Sequence, residues 1–243
     1  MTPADTPTTD SLRIKVFADG AVRQAIVDLL TNPLIRGFTT NPTLMRQAGV
    51  TNYESFAREL LEVVPDLPIS FEVFSDEFGD MERQAQKIAS WGDNVYVKIP
   101  VTNTRAEDAG PLIAHLAAEG IKVNVTALMT VGQVRSVAAR LAGGPHSYVS
   151  VFAGRIADTG RDPVPLMTAA VEALAPHSQL ELIWASPREL LNIFQADAVG
   201  CHVITVTHDL LKKLTSVGRD LEDYSLATVK MFFEDAAASA FSL

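Results

Sequence analysis

A lysine lies in the middle of an apolar, β-branched segment, NVYVKIPV (94–101). An unpaired ammonium on a buried strand costs several kcal/mol of folding free energy or gives up its proton. A neutral amine is the nucleophile that forms a Schiff base with a carbonyl substrate. Lys98 is therefore a candidate for covalent catalysis. The alternative is that it marks the solvated end of a strand.

Two carboxylates hold comparable positions in other apolar segments. Asp19 ends IKVFAD (14–19), and Glu72 lies inside ISFEVF (69–74). Carboxyl groups that converge with a lysine could serve as general acids and bases. Because a carboxylate in direct contact favours the charged ammonium, we expect both to act through water or a substrate hydroxyl rather than as tight ion-pair partners of Lys98.

Other polar residues at strand positions differ in how well a local structural role explains them. Asn41 and Ser186 each precede a proline, as a helix N-cap before a first-turn proline would. Asn124 and Thr126 lie inside KVNVTAL (122–128), where helix capping does not explain them. Residues at i and i+2 face the same side of a strand, so this pair points to a polar site.

An anion site is also indicated. Ser186–Arg188 would start a helix whose N-terminal amides favour a phosphate, with the Arg188 guanidinium adding bidentate hydrogen bonds. Arg155 follows a neighbouring strand in SVFAGR (150–155) and could join it. For either arginine alone, a surface salt bridge is the commoner explanation. Two arginines on adjacent loops favour the phosphate site.

The elements that must position these residues are short strands alternating with longer helical patterns. The eight strand candidates are IKVFAD (14–19), GFTTN (37–41), ISFEVF (69–74), NVYVKIP (94–100), KVNVTAL (122–128), SYVSVFA (147–153), ELIWAS (181–186) and CHVITVT (201–207). Eight such units in 243 residues predict an α/β protein with a single (β/α)₈ TIM barrel. A doubly wound sheet would alternate similarly, but no glycine-rich nucleotide-binding sequence follows any of the strands.

The barrel hypothesis sets the domain organisation. Residues 1–12 are expected to form a disordered N-terminal tail, since they contain neither a basic nor an apolar stretch typical of a signal peptide. Residues 13–243 are expected to form one barrel domain. It includes an additional C-terminal helix, SLATVKMFFEDAAASAF (225–241), which could cap the barrel or pack on another subunit.

Composition excludes several functional classes. The net charge of −9 and the lack of a long basic stretch argue against nucleic acid and anionic membranes as partners. No apolar run approaches the roughly 20 residues of a membrane span, and we expect a cytoplasmic protein. The single cysteine, Cys201, excludes an internal disulfide and is expected to be a packed, inert thiol. The five histidines show no metal-ligand spacing, so no metal is implied.

Seven short motifs occur in an order that resembles the transaldolase family: FADGA, TTNPT, FEVF, VKIP, NVT, SVFAGR and ASPR. The resemblance extends from about Lys15 to Arg188 and more loosely to about Leu214. It implies a (β/α)₈ class I aldolase fold that needs no cofactor and carries its Schiff-base lysine on the fourth strand. Lys98 matches that lysine.

The resemblance also implies roles for the other catalytic residues. Asp19 matches the acid/base residue that takes the proton from the C4 hydroxyl of the substrate during carbon–carbon cleavage. Glu72 and Thr126 match the pair that holds the water used to form and hydrolyse the imine. The implied reaction moves a dihydroxyacetone unit from fructose 6-phosphate or sedoheptulose 7-phosphate to an aldose phosphate.

Substrate-binding residues follow from the same motifs. Asn41 and Asn124 match residues that hold the dihydroxyacetone fragment. Ser150 matches a residue that contacts the terminal hydroxyl of this fragment, and Phe152 lies nearby. Arg155, Ser186 and Arg188 match the phosphate site. The implied partners are small sugar phosphates and further copies of the chain, as a dimer or decamer.

Three alternatives stay open. Fructose-6-phosphate aldolases release dihydroxyacetone and carry glutamine and tyrosine where this chain has Glu72 and Phe152, so both positions favour transfer. An apolar Phe152 cannot orient a water for premature release of the enamine. A sugar with another anion, such as a sulfosugar, is the second alternative, and a non-catalytic barrel scaffold is the third.

The chain departs from the family pattern at a few positions. Met129-Thr130 replaces a Phe-Ser pair, although Gln133 remains, and Val151 replaces a proline. ITVTH (204–208) replaces a Ser-Pro ending near the eighth strand. These changes bear on the range of acceptors and on substrate fit.

Overall fold

A computed structural model of the chain describes residues 7–239. Eight strands pair in chain order, each parallel to its neighbours, and the eighth pairs with the first to close a barrel. The predicted (β/α)₈ fold is therefore confirmed. Residues 1–6 of the predicted N-terminal tail lie outside the described residues, and a 3₁₀ helix forms at Thr9–Ser11.

The strands are β1 Lys15–Asp19, β2 Ile35–Thr39, β3 Ile69–Glu72, β4 Val95–Pro100, β5 Val123–Leu128, β6 Ser147–Val151, β7 Leu180–Trp184 and β8 Val203–Thr207. The α-helices are α1 Arg23–Leu29, α2 Pro42–Gln47, α3 Tyr53–Val63, α4 Phe78–Ala89, α5 Gly110–Ala118, α6 Val131–Leu141, α7 Ala153–Ala157, α8 Val164–Leu174, α9 Leu191–Ala198, α10 His208–Lys212 and α11 Leu221–Ala238. A second 3₁₀ helix spans Lys213–Ser216.

Each predicted strand is present, with shifts at its ends. The largest shift is in β2, which was predicted at residues 37–41 and is found at Ile35–Thr39. The last residue of the predicted strand, Asn41, instead caps α2, because its side chain accepts a hydrogen bond from the Leu44 amide. The N-cap prediction for Asn41 is thus confirmed.

The helices follow local rules that the sequence carries. In α4 the buried residues Met81, Ala85 and Ile88 recur with helical spacing, so one face packs inward. Thr130 and Gln133 form a capping box that starts α6. Gly120 follows α5 with a φ of 80°, a left-handed conformation that favours glycine after a helix.

The amino-terminal half of the barrel interior is filled by large apolar side chains. Phe17 and Tyr148 pack edge to face with ring centroids 5.5 Å apart, and Tyr96, Ile183 and Val203 belong to the same cluster. Side chains towards the carboxyl ends of the strands are more polar. The packed lower half therefore supports a polar site at the opposite mouth.

Strand register places the polar residues of neighbouring strands side by side. Glu72 pairs with Lys98, and Lys98 pairs with Asn124. On the other side of the barrel, Asp19 lies opposite Thr39 of β2 and Thr207 of β8. The register alone therefore brings the candidate lysine and a carboxylate to the same level.

The residues Arg13–Leu211 form one compact unit, and the described residues outside this range form a second. The second unit contains α11, whose N-cap Asp220 accepts hydrogen bonds from the amides of Glu222 and Asp223. The predicted C-terminal helix is thus present up to Ala238. None of the helices between residues 7 and 239 combines the length and apolarity needed to cross a membrane.

Candidate active site

A cavity of about 600 Å³ opens at the carboxyl ends of the barrel strands. All the site residues predicted from the sequence line it. They are Asp19, Asn41, Glu72, Lys98, Asn124, Thr126, Ser150, Phe152, Arg155, Ser186 and Arg188. The fold therefore brings together residues that are up to 169 positions apart in the chain.

Lys98 is held at the base of this cavity, and only 8% of its side chain is exposed. Its Nζ lies 3.0 Å from Glu72 Oε2 and donates a 2.9 Å hydrogen bond to the Thr40 carbonyl oxygen. The expectation that Glu72 would avoid a tight ion pair is wrong. Because Glu72 and Lys98 are register partners on adjacent strands, their side chains meet directly.

A tyrosine that sequence reasoning missed fixes the backbone of Glu72. The Tyr53 hydroxyl, at the start of α3, donates to the Glu72 carbonyl oxygen at 2.7 Å and accepts from the Glu72 amide at 2.8 Å. Burial raises the pKa of Tyr53, so the hydroxyl keeps its proton. No local pattern marks Tyr53, because its partner lies in another element.

Two threonine hydroxyl groups hold Asp19 in place, one by direct contact and the other through the first. Thr39 Oγ1 donates to Asp19 Oδ1 at 2.8 Å, and Thr39 Oγ1 also lies 2.5 Å from Thr205 Oγ1. Burial raises the pKa of Asp19, while the nearby Lys98 and the Thr39 hydrogen bond oppose the rise. A carboxyl group that binds its proton more tightly than an exposed aspartate suits acid/base work.

Thr39 and Thr205 were not predicted as site residues. Thr39 precedes Asn41 by two positions, so the i, i+2 argument used for Asn124 and Thr126 would have found it. Thr205 alternates with Thr207 on β8 and carried the same signal.

Asn124 joins three strands through its amide. It donates to Ser70 Oγ at 3.0 Å and accepts from Ser150 Oγ at 2.7 Å. The orientation of Asn124 is therefore fixed before any substrate binds, and the Ser150 hydroxyl is fixed with it.

The Thr126 hydroxyl oxygen is buried and has no hydrogen-bond partner among the described residues, so it can bond to water or substrate. Ala127 follows it with a φ of 66°, where the pairing register between β5 and β6 shifts. Such a bulge re-aims the side chains beside it. It accounts for a polar side chain directed to the cavity at this point of β5.

The anion site differs from its prediction in one respect. Ser186–Arg188 do not start a helix, because α9 begins only at Leu191 and Ser186 has a φ of 60°. The amides of Arg188 and Glu189 instead donate to Asn192 Oδ1 at 2.8 and 3.1 Å. The helix N-terminal phosphate site is therefore not formed at these residues.

The two arginines lie at this side of the cavity, as predicted. Arg188 Nε donates a 2.9 Å bond to Asp158 Oδ1, and a second contact joins its NH2 group to Oδ2. This guanidinium holds the pKa of Asp158 below its usual range. Arg155 lies 5.3 Å from the centre of the Phe152 ring. Two cations beside a cavity can receive an anionic substrate.

Two further findings concern metal binding and thiol chemistry. Among residues 7–239, no group of three or more histidine, cysteine, aspartate or glutamate side chains could hold a metal ion. Cys201 is buried, and burial raises the pKa of its thiol to about 12. The thiol is therefore protonated and inert near neutral pH.

The fold and the site define a (β/α)₈-barrel protein with a buried lysine, two acidic side chains and two arginines lining one cavity at the carboxyl ends of its strands. Residues 16–242 match the sequence model of the family described as Transaldolase/Fructose-6-phosphate aldolase. The chain belongs to this family.

Two individual relatives carry names from the same family. A protein of Streptococcus equi subsp. zooepidemicus named "Probable transaldolase" is 34% identical over 228 residues, which are 93% of this chain and 99% of that protein. Another "Probable transaldolase", from Dehalococcoides mccartyi, is 32% identical over 202 residues, 83% of this chain and 90% of that protein.

Solved structures share the fold at low identity. A putative phosphonomutase from Burkholderia cenocepacia J2315 has a TM-score of 0.59 at 12% identity, covering 90% of this chain and 94% of that one. Orotidine 5'-monophosphate decarboxylase from Metallosphaera sedula has a TM-score of 0.55 at 14% identity, covering 86% and 98%. Both likenesses concern the barrel fold alone.

Proposed function

We propose that this protein is a transaldolase that forms a Schiff base on Lys98. It would transfer a dihydroxyacetone unit from fructose 6-phosphate or sedoheptulose 7-phosphate to an aldose phosphate. The observation that carries the proposal is the buried Lys98 amine in direct contact with the Glu72 carboxylate, in a cavity that Asp19 also lines. Membership of the transaldolase/fructose-6-phosphate aldolase family supports it.

The first step is attack of the Lys98 amine on the C2 ketone of the donor. The ammonium must lose a proton to become a nucleophile, and the Glu72 carboxylate 3.0 Å away is placed to accept it. The resulting carbinolamine loses water to give the iminium. The free hydrogen-bonding capacity of Thr126 is suited to hold that water beside Glu72.

The second step is cleavage of the C3–C4 bond. The Asp19 carboxylate takes the proton of the C4 hydroxyl, the bond breaks, and an aldose phosphate leaves. The electron pair of the broken bond moves into the iminium and gives an enamine attached to Lys98. The Thr39 hydrogen bond orients Asp19 for this transfer.

The last steps reverse the chemistry on a second aldehyde. The enamine carbon bonds to the carbonyl carbon of the acceptor, and Asp19 returns its proton to the carbonyl oxygen. Water then hydrolyses the new iminium and releases the product ketose with the free amine. No redox cofactor enters this sequence.

Substrate recognition divides between two sides of the cavity. The fixed Asn124 and Ser150 side chains suit the hydroxyl groups of a dihydroxyacetone fragment, together with Asn41. Arg155 and Arg188 suit a phosphate at the other end of the sugar. Asp158 now pairs with Arg188, but a solvent-exposed ion pair contributes little, so phosphate can compete with it.

Transfer, rather than release of dihydroxyacetone, is favoured by Phe152. Its apolar ring lines the cavity and carries no group that could orient a water against the enamine. The test is acceptor dependence with fructose 6-phosphate as donor. Transfer requires an acceptor aldehyde, so free dihydroxyacetone formed at full rate without one would show release to be the main activity.

Covalent trapping tests the mechanism directly. Borohydride reduction in the presence of fructose 6-phosphate should leave a three-carbon or sugar adduct on Lys98, located by peptide mass mapping. Lys98→Met, which is close in length but has no amine, is the control and should remain unlabelled. An unmodified Lys98 in the wild-type protein would contradict both the mechanism and the catalytic role.

We also propose that the protein forms a homo-oligomer, a dimer or a decamer, through α11. Large apolar side chains along this helix are exposed, reaching 63% for Phe232 and 76% for Phe233, and such patches mark association surfaces. Light scattering should show an oligomer that the double variant Phe232→Ser, Phe233→Ser dissociates. The control Lys230→Ser, on the same helix, should not, and a monomeric wild type would contradict the proposal.

A further inference from the structure

A second cavity, of about 500 Å³, lies beside the candidate active site. It is bordered by the end of β1, by α1, by α2 and by the start of α10. Most of its wall consists of small or aliphatic side chains. These include Ala21, Ala25, Ile26, Leu29, Leu44 and Ala48. Its volume is in the range of small-molecule sites.

The two cavities are adjacent and share part of their lining. Asp19, Leu44, Gln47 and Thr207 line both of them. Asp19, the proposed acid/base residue, therefore lies at the junction. An aldehyde with its carbonyl oxygen beside Asp19 can direct its substituent either towards Arg155 and Arg188 or into the second cavity.

The two cavities differ in the charge of the side chains that line them. The arginines Arg155 and Arg188 line the first cavity, whereas no lysine or arginine is among the described residues that line the second. The ionisable residues there are Asp19, His208 and Asp209. The aliphatic wall favours burial of an apolar, uncharged group, and no cationic side chain among the described lining residues would hold a phosphate there.

A sequence departure falls at the same place. Thr207 and His208 belong to ITVTH, which replaces the family's Ser-Pro ending, and both line the second cavity. The departure from the family pattern at the end of β8, to which the proposed function gives no role, therefore forms part of the wall of the second cavity.

We propose that the second cavity is an acceptor subsite for the apolar chain of an unphosphorylated aldehyde. The inference rests on the proposed transaldolase chemistry. The enamine carbon on Lys98 bonds to the aldehyde carbon, and the aldehyde oxygen takes the proton that Asp19 had removed from the C4 hydroxyl of the donor. Water then hydrolyses the iminium, which frees the Lys98 amine and an uncharged ketose lengthened by the three donor carbons.

Chain length gives a quantitative test. With fructose 6-phosphate as donor, initial rates of glyceraldehyde 3-phosphate release are measured with propanal, butanal, pentanal and hexanal as acceptors. Burial of each added methylene should raise kcat/KM about threefold to fourfold until the cavity is full. A kcat/KM that is independent of chain length would overturn the proposal.

A cavity-filling variant tests the location. Ala25→Leu adds three carbons to the wall of the second cavity, and Gln24→Leu, on the exposed face of the same helix, is the matched control. We expect Ala25→Leu to lower kcat/KM for hexanal at least tenfold while kcat/KM for erythrose 4-phosphate stays within twofold. Gln24→Leu should change neither value.

The outcomes separate this proposal from the proposed function. If the wild type transfers to erythrose 4-phosphate but Ala25→Leu leaves the hexanal series unchanged, only the subsite is wrong. An equal loss for hexanal and erythrose 4-phosphate in Ala25→Leu would also overturn it, because the cavity would then serve no separate class of acceptor. If erythrose 4-phosphate itself is not used, the proposed function fails first.

Discussion

The Lys98 amine and the Glu72 carboxylate are in direct contact, with Nζ 3.0 Å from Oε2 at the base of the barrel mouth. Their contact follows from strand register, since the two residues are partners on β3 and β4. A buried ammonium must lose a proton before it can act as a nucleophile, and this carboxylate is the adjacent base. The carboxylate favours the charged ammonium while the site is empty, and it is also the group placed to accept the ammonium's proton in the proposed reaction.

Replacing the Glu72 carboxylate by an amide removes its charge and keeps its shape, so the variant tests the role of the charge. We expect Glu72→Gln to lower kcat for transfer about 100-fold or more, because the proton acceptor beside Lys98 is lost while the side-chain volume is kept. Borohydride trapping should slow by a similar factor. Glu77→Gln, at an exposed glutamate, is the control. A Glu72→Gln variant that traps and transfers at the wild-type rate would contradict the role of Glu72.

The sequence predicted which residues would converge, because the (β/α)₈ fold forces the carboxyl ends of all strands to one mouth. Eight alternating strands were enough to place Asp19, Glu72 and Lys98 in one cavity. What it could not predict was direct contact, since register between β3 and β4 is not encoded locally. The Glu72–Lys98 ion pair was missed for this reason.

Two other differences between the sequence-based prediction and the structure have identifiable causes. Tyr53 acts on Glu72 across elements, so no local spacing reveals it. The residues after β7 have the proline and serine expected of a helix start, yet the left-handed conformation of Ser186 delays α9. Asn192 then accepts the amides that a helix would have presented to a phosphate. Local capping signals fail where another side chain, here Asn192 four residues after Arg188, takes the same hydrogen bonds.

Asp19 gives a prediction about stability and pH. Burial raises its pKa, so the native protein holds this proton more tightly than the unfolded chain, and native stability falls as pH rises above about 4. Asp19→Asn removes the cost of ionising the buried carboxyl. We therefore expect the variant to have a higher Tm than the wild type at pH 7 and to transfer at least 100-fold more slowly.

The Asp19→Asn difference should shrink as thermal unfolding is measured from pH 7 down to pH 4. Asp66→Asn, at an exposed position, should show no comparable pH-dependent gain. If Asp19→Asn is less stable than the wild type by a constant margin over this range, the burial of the charge is not what limits stability.

Gly154 permits the close approach of two loops at the anion site. A Cβ built on Gly154 would lie 1.5 Å from the Ser186 carbonyl oxygen, so Gly154→Ala must displace that backbone and with it Arg188. We expect KM for fructose 6-phosphate to rise about tenfold and the free energy of unfolding to fall by about 1–3 kcal/mol. Steady-state kinetics and denaturant unfolding measure the two effects.

The matched control is Gly132→Ala in α6, where the nearest atom to an added Cβ is 3.9 Å away. It should leave KM unchanged and stabilise the helix by up to about 1 kcal/mol. An unchanged KM in Gly154→Ala would show that the position of Ser186 does not govern substrate binding.

A charged group at the other end of the barrel concerns stability alone. Glu181, on β7, accepts a 2.6 Å hydrogen bond from Lys15 Nζ, and His146 Nε2 lies 3.8 Å from its second oxygen. Desolvation raises the pKa of Glu181, but His146 and Lys15 outweigh it and lower the pKa to about 2. Its charge therefore stabilises the native state above about pH 4.5, and this contribution is lost as pH falls towards 2.

Replacing Glu181 by its neutral isostere should expose this contribution. We expect Glu181→Gln to lose roughly 1–2 kcal/mol of unfolding free energy at pH 7, after allowance for screening at the half-exposed Lys15. The deficit should narrow as pH falls from about 4.5 towards 2 in denaturant unfolding, because Glu181 of the unfolded wild-type chain then binds a proton that the native state does not. Lys15→Met should show the same trend, and kcat should be unchanged in both, since neither residue lines the catalytic cavity. A deficit that stays constant from pH 7 to pH 3 would mean that packing, not charge, makes Glu181 stabilising.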